Sequence, residues 1–295
     1  MEEILKYMPH SMALCVKKYL GNQGINELRL RTGNHLILRF NTREIVTEYV
    51  VSKEDILNIL LSISKNSIYS IQNDINNGFL TIKGGHRVGV TGEVVLEEDK
   101  IKNIKNISSM NIRIAREIKG AASKLINCVV NGNTINNTLI VSPPGCGKTT
   151  MLRDLIRQIS NVGRNIALID ERGEIASMHD GKPMLDVGLR TDVMSFCPKH
   201  KGITLVTRSM GPDVIATDEI GSTEDIEAIK NATLTGVNLL FTMHGRNITD
   251  LKKNKEVMQI ISQGYFDVIV FLSNRNGVGT IEKIMKGTGE FNVCC

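Results

Sequence analysis

The stretch from Thr138 to Ile159 constrains this chain more than any other. Thr138-Leu139-Ile140-Val141 is apolar and short enough to be a buried strand, and it runs straight into Ser142-Pro143-Pro144-Gly145-Cys146-Gly147-Lys148-Thr149-Thr150. Beyond that loop, Met151, Leu152, Leu155, Ile156 and Ile159 fall on one face of a helix. Strand, glycine loop and helix in this order aim successive backbone amides and a helix amino terminus at one spot, where a polyphosphate is favoured. Gly145 and Gly147 let the backbone approach closely, Lys148 can reach β and γ phosphates, and the Thr149 hydroxyl can ligate Mg²⁺. The run from Ser142 to Thr150 is therefore the candidate ATP-binding set, with Mg²⁺ as its companion. One position departs from the pattern G-x-x-x-x-G-K-[ST], whose first Gly falls on Ser142. That position closes the turn out of the strand, and a small Ser can adopt the backbone needed.

A phosphoryl-transfer site also needs a carboxylate for the metal shell and a group that orients or deprotonates the attacking water. Asp213-Val-Ile-Ala-Thr-Asp218-Glu219, an apolar strand ending in two acids, supplies both, with Asp218 in the metal shell and Glu219 as general base. Between loop and acidic strand lies Ile166-Ala-Leu-Ile-Asp170-Glu171-Arg172-Gly173-Glu174, a further strand opening onto a charged turn. This extra strand argues for the RecA-like and AAA-type subdivision of phosphate-loop enzymes and against the GTPase and kinase subdivision. Glu171 is a candidate second polarising acid, with a helix-capping or surface role as its alternative. The next strand ends in Phe241-Thr-Met-His244-Gly-Arg246 and puts His244 at the sheet's carboxyl edge, where ligands of open α/β sheets collect. There His244 is a candidate sensor of the γ phosphate.

The length of 295 residues fits two domains. Residues 1–120 are expected to form a small mixed α/β domain. It contains an opening helix interrupted by Pro9, a hairpin around Thr32-Gly33-Asn34, a helix starting at Ser52 with Asp55 completing a capping box, and strands at Phe79–Lys83, Arg87–Leu96 and Ile107–Ile114. Gly120 marks the boundary. Residues 121–295 alternate apolar strands with helical segments, the signature of a mostly parallel sheet flanked by helices. The expected strands are Thr138–Val141, Asn165–Asp170, Asp213–Asp218, Val237–Met243 and Asp267–Leu272.

Composition closes several other routes. With 41% apolar and 23% charged residues the chain is neither disordered nor a disulfide scaffold. The net charge is only +5, and residues 1–120, with 17 basic and 13 acidic residues, hold most of it. No run approaches the roughly 18 apolar residues of a spanning helix, and the Met-Glu-Glu start has no export-signal pattern, so a cytoplasmic location is expected. Cys15, Cys128, Cys146, Cys197, Cys294 and Cys295 follow no metal-ligand spacing and are expected as reduced thiols.

Taken in order, the phosphate loop, the acidic box after the second strand, Pro212-Asp213 before an acidic strand, and Thr242-x-His244 resemble the secretion-ATPase branch of RecA-like motors, the type II and type IV secretion hexamers. That branch generally has Gly before the strand-end Glu, where this chain has Asp218. A narrower set resembles the stage III sporulation protein AA family across roughly residues 20 to 290. It comprises Gly84-Gly85-His86-Arg87-Val88-Gly89, Ser142 to Leu152, Asp170-Glu171-Arg172-Gly173-Glu174-Ile175-Ala176, Arg208-Ser209-Met210, Thr217-Asp218-Glu219-Ile220-Gly221 and His244-Gly245. That family usually opens its loop with Gly, so Ser142 is again a departure. The resemblance implies a RecA-like P-loop ATPase domain behind the small domain, acting as a homo-oligomeric ring, a hexamer. It further implies a mother-cell ATPase of endospore-forming bacteria that powers or assembles the channel to the forespore. Its partners would be membrane proteins of that channel, such as stage III sporulation protein AB, and its place the cytoplasmic side of the forespore-facing membrane.

Such motors complete their site with an arginine from outside the phosphate loop, worth about 10³–10⁵ in rate. Arg87, Arg113 and Arg116, before the linker, are the candidates. Two rival readings stand beside this one. A nucleic-acid motor is disfavoured because aromatics are only 4% and no basic cluster interleaves with them. A slow nucleotide-switched scaffold is disfavoured by the intact Asp218-Glu219 pair.

Overall fold

Leucines alternate with charged residues in Glu27-Leu-Arg-Leu-Arg31, so only one face of this segment can be buried. In a computed structural model, which describes residues 1–21, 24–67, 71–76, 78–287 and 292–293, Leu28 and Leu30 are fully buried while the charged neighbours stay accessible. The chain builds two compact units, Met1–Arg116 with Ser177–Met184, and Glu117–Ala176 with the chain from Leu185 onward. The first division falls four residues before Gly120, and the short excursion 177–184 returns the chain to the first unit, which a single sequential cut does not capture.

In the first unit, α1 (Glu2–Leu5) and α2 (His10–Lys18) flank Pro9, and β1 (Glu27–Arg31) turns at Gly33 into β2 (His35–Arg39). Next come β3 (Glu44–Val50), α3 (Lys53–Ile63), α4 (Gln72–Asn76), β4 (Phe79–Ile82), β5 (His86–Glu97) and β6 (Lys100–Arg113). The sheet runs β3-β2-β1-β6-β5-β4, with every neighbour antiparallel. Its apolar face packs on α3, where Ile56, Ile59 and Leu60 join Leu28, Leu30, Leu38, Val88 and Ile112 in one core. Ser52 and Asp55 form the expected capping box at the start of α3.

In the second unit, α5 (Ile126–Val129), β7 (Val130–Asn131) and β8 (Thr134–Ile135) precede β9 (Thr138–Ser142), α6 (Lys148–Asn161) and β10 (Ile166–Asp170). After the hairpin β11 (Met178–His179) and β12 (Lys182–Pro183) in the first unit come β13 (Thr191–Ser195), α7 (Lys199–Ser209), β14 (Val214–Thr217), α8 (Thr223–Thr233) and β15 (Asn238–His244). The chain continues through α9 (Ile248–Leu251), α10 (Lys255–Ser262), β16 (Val268–Ser273), β17 (Thr280–Lys286) and β18 (Asn292–Val293). The sheet order is β13-β10-β14-β15-β9-β16-β17-β18; the first six strands are parallel to one another, and β17 and β18 each pair antiparallel with the strand before. Strands β9, β10 and β14 are buried along their whole length, as expected of a sheet covered on both faces. The strand standing between β9 and β14 is β15, whereas β10 lies on the far side of β14.

Among the described residues no helix is long and apolar enough to cross a membrane. Cys15, Cys128, Cys146 and Cys197 are free thiols, and Cys294 and Cys295 lie outside the described residues.

The Gly84-Gly85-His86 segment has a structural explanation. Both glycines adopt positive φ, 87° and 76°, in the turn between β4 and β5. A Cβ on Gly84 would stand 2.8 Å from His86 Nε2. The imidazole is buried and its Nδ1 accepts a hydrogen bond from the Ala115 amide at 3.0 Å. Burial pushes the His86 pKa down to about 4, with the amino terminus acting in the same direction and Glu3 opposing it. The neutral ring is therefore the folded form. Between its unfolded value of 6.5 and about 4 the unfolded chain binds a proton that the folded chain refuses, so this contribution is complete above pH 6.5 and is lost as pH falls. The stability advantage of wild type over His86→Gln should shrink by roughly 2 kcal/mol between pH 7 and pH 4.5 in denaturant titrations. A pH-independent difference would mean that the buried ring is not held neutral.

Candidate functional site

The phosphate loop is presented by β9, which is hydrogen-bonded between β15 and β16 and cannot shift without disturbing the middle of the sheet. Gly145 has φ 75°, and Gly147, the N-cap of α6, has φ 84°. A Cβ on Gly147 would stand 2.7 Å from Val278 Cγ1 and 3.1 Å from the Gly279 amide. The strand-connecting turn before β17 thus packs on the loop, and Gly279 N–H donates to Cys146 O at 3.1 Å. Ser142 is the last residue of β9, fully buried, without positive φ, and its hydroxyl donates to Pro143 O at 2.9 Å. The backbone at this position does not require glycine, which accounts for the departure.

Strand β14 delivers the acids. Thr217 Oγ1 donates to Ile169 O at 2.8 Å, fastening β14 to β10 just before the strand ends. Glu219 then adopts φ 47°, a left-handed conformation that costs a non-glycine residue on the order of 1–3 kcal/mol. Strand β15 holds it there, with Glu219 N–H donating to Thr242 Oγ1 at 2.9 Å and Ile220 N–H to Thr242 O at 3.0 Å.

Two cationic side chains and an imidazole converge on the Glu219 carboxylate. Lys148 Nζ lies 3.2 Å and His244 Nε2 2.9 Å from Oε1, and Arg172 Nη1 lies 3.0 Å from Oε2. Burial alone would raise the Glu219 pKa, but Lys148, His244 and Arg172 together bring it below the usual carboxylate range. For Lys148 the balance goes the other way: burial lowers its pKa more than Glu219 raises it, so the ammonium sits there at a desolvation cost. These groups face an open cleft of about 560 Å³ lined by Pro143, Pro144, Gly145, Gly147, Lys148, Thr149, Thr150, Arg172, Glu174, Glu219, His244 and Val278.

Asp218 sits behind this wall, 2% exposed. Burial raises its pKa to about 6, against the pull of nearby Lys199 and with further upward pushes from Asp170 and Glu219. Its Oδ1 is buried and has no hydrogen-bond partner among the described residues. A buried carboxylate oxygen lacking a donor, one residue from Glu219 and behind the cleft that Thr149 lines, fits the outer shell of a hydrated Mg²⁺.

The turn after β10 is built around Asp170. Its two carboxylate oxygens accept from the amides of Glu174, Ile175 and Ala176 at 2.9–3.2 Å, and Arg153 donates to Ile175 O and Glu174 O at 2.5 and 2.7 Å. Glu171 points away from the cleft's lining and pairs with the buried Lys199. Two groups that sequence reasoning passed over are therefore prominent, Arg172 at the cleft and Lys199 behind it. Arg172 carried a usable signal, a long cation one residue past a strand-end acid on the sheet's carboxyl edge. Lys199, at the start of α7 after Pro198, carried none. Arg87, Arg113 and Arg116 belong to the first unit. There Arg87 stacks 3.8 Å over the Phe79 ring, Arg113 pairs with Glu27 at 3.6 Å, and Arg116 donates to Gly24 O at 2.5 Å.

The sheet order, the loop and the acidic strand define the fold of the RecA-like secretion ATPases. The pilus retraction motor PilT with bound ADP superposes with a TM-score of 0.58 at 15% identity, over 88% of this chain and 76% of that one. The ATPase DotB of Legionella pneumophila does so with a TM-score of 0.54, also at 15% identity, over 83% and 71%. At these identities the likeness is one of fold. The chain belongs to the family described as sporulation stage III, protein AA, whose profile matches residues 2–291. It is 36% identical over 297 residues to stage III sporulation protein AA of Bacillus subtilis (strain 168), covering 98% of this chain and 96% of the relative.

Because Asp170 satisfies buried amides with a fully buried side chain, Asp170→Ala should lower stability by about 3 kcal/mol or more, read from denaturant midpoints. A loss of only a few tenths would show that this turn does not depend on its carboxylate.

Proposed function

We propose that the chain is a Mg-ATP-hydrolysing motor of the secretion-ATPase type, acting in the channel between mother cell and forespore. The observation that supports the activity most directly is the meeting of Lys148, Arg172 and His244 on Glu219, at the mouth of a glycine loop that caps a helix amino terminus. In this reading the loop amides and Lys148 hold the β and γ phosphates, and Glu219 accepts a proton from the attacking water. His244, half-exposed and 2.9 Å from Glu219, senses the γ phosphate. Thr149 and Asp218 hold Mg²⁺, which when bound neutralises charge on the phosphates. Glu171 enters as a second polarising acid only by exchanging its Lys199 partner. The family membership supports the sporulation setting, and the fold supports a homo-oligomeric ring, a hexamer, that works with membrane proteins of the channel such as stage III sporulation protein AB.

Lys148→Ala should abolish both nucleotide binding and hydrolysis, because no other cation in the loop can face the β and γ phosphates. Glu219→Gln should keep nucleotide and lose turnover by roughly 10²–10⁴-fold, the usual worth of a general base. Equilibrium binding measured beside steady-state hydrolysis, across a range of protein concentrations, checks both. Wild-type hydrolysis by Lys148→Ala would remove the site assignment. Loss of binding by Glu219→Gln would return Glu219 to a structural role, and turnover per chain independent of concentration would count against the ring.

A further inference from the structure

We propose that Arg172 binds the γ phosphate from within the same chain, so that one second unit contains its own activating arginine. The inference rests on the ATPase reading and assigns a residue to it.

The guanidinium is anchored on a tightly bonded turn. Arg172 stands on the turn from Asp170 to Ala176, whose amides are gathered onto Asp170 and whose carbonyls are held by Arg153. Gly173, at φ 63°, closes that turn against the Phe196 ring, where a Cβ would stand 3.0 Å from two ring carbons. The backbone under Arg172 is therefore fixed, which lowers the cost of presenting its side chain to a ligand.

The second step is direction. Glu171 and Arg172 are neighbours, yet Glu171 pairs with Lys199 while Arg172 lines the same cleft as Gly145, Gly147, Lys148 and Thr149. Arg172 and Lys148 take opposite oxygens of one carboxylate, at 3.0 Å and 3.2 Å. Two cations separated by a single carboxylate group are within reach of a single phosphoryl group. A terminal phosphoryl carries more charge than Glu219 and matches the planar guanidinium fork equally well.

The third step is the ease of exchange. The Arg172 side chain is 56% exposed, so its pairing with Glu219 is of the solvent-screened kind worth about 0–1 kcal/mol. Exchange of this pairing for one with a phosphate leaves Glu219 with one competitor fewer for its role toward water. Arg87, Arg113 and Arg116 are each engaged within the first unit by a ring, a carboxylate and a carbonyl respectively.

The test compares binding of ADP and of a β,γ-imido analogue of ATP, each with Mg²⁺, to the full chain. Arg172→Ala should weaken the analogue by roughly ten- to a hundredfold, the worth of a lost charge-assisted hydrogen bond, and leave ADP unchanged. Arg172→Lys should recover part of the loss, since the ammonium keeps the charge without the fork. Thermal melts matching wild type keep the comparison free of misfolding. An unaltered ratio of analogue to ADP affinity in Arg172→Ala overturns the proposal while Lys148→Ala still speaks for the site as a whole. If wild type binds neither nucleotide, the ATPase reading and this inference fall together. Mixing Arg172→Ala with Glu219→Gln should produce no activity above the two parents, and a gain on mixing would place the working arginine across a subunit boundary.

Discussion

The carboxylate of Glu219 is held by side chains from three different elements, and the site depends on that meeting. Lys148 begins α6, Arg172 stands on the turn after β10, and His244 ends β15. Only the strand order brings them together. With β15 between β9 and β14, the loop and the acidic strand end one strand apart on the same edge of the sheet, where ligands of open α/β sheets collect.

The backbone at Glu219 carries a cost that its neighbours offset. A left-handed glutamate persists only where surrounding bonds over-determine it, and here Thr242 supplies two, through its hydroxyl and its carbonyl. Thr242 thus has a definite task within the Thr-x-His box: it fixes the acid that His244 then touches. Asp170 does similar work one strand farther out, organising the turn that carries Arg172 and Glu174. The motif acids therefore divide into one that faces the cleft, Glu219, one that stands behind it, Asp218, and one that builds its wall, Asp170.

The phosphate loop, the parallel strands and the acidic pair were legible in the sequence because each is a local pattern with a physical reason. Apolar runs give buried strands, and glycines give positive φ at Gly145 and Gly147. Strands β13 and β17 were not legible: Thr191-Asp-Val-Met-Ser195 and Thr280-Ile-Glu-Lys-Ile-Met-Lys286 mix polar with apolar residues and stay partly exposed. Pairing with β10 and β16, a tertiary matter, makes them strands. The excursion of Ser177–Met184 into the first unit is long-range for the same reason. The place of Arg172 was not legible because sheet geometry, not local pattern, brings the residue after Glu171 to the cleft.

Charge compensation explains why this site can be both well formed and responsive. Lys148 is nearly inaccessible to water, and burial disfavours its charge more than Glu219 relieves it. An anion entering beside it acts in a medium of low effective dielectric, where attraction is several-fold stronger than at the surface. Arg172 is the opposite case, its side chain more than half exposed to solvent. Under the proposed activity, the buried lysine supplies affinity for any polyphosphate and the exposed arginine discriminates by its length. In the same reading, phosphate drawing Lys148 and Arg172 off Glu219 leaves that carboxylate with His244 and water.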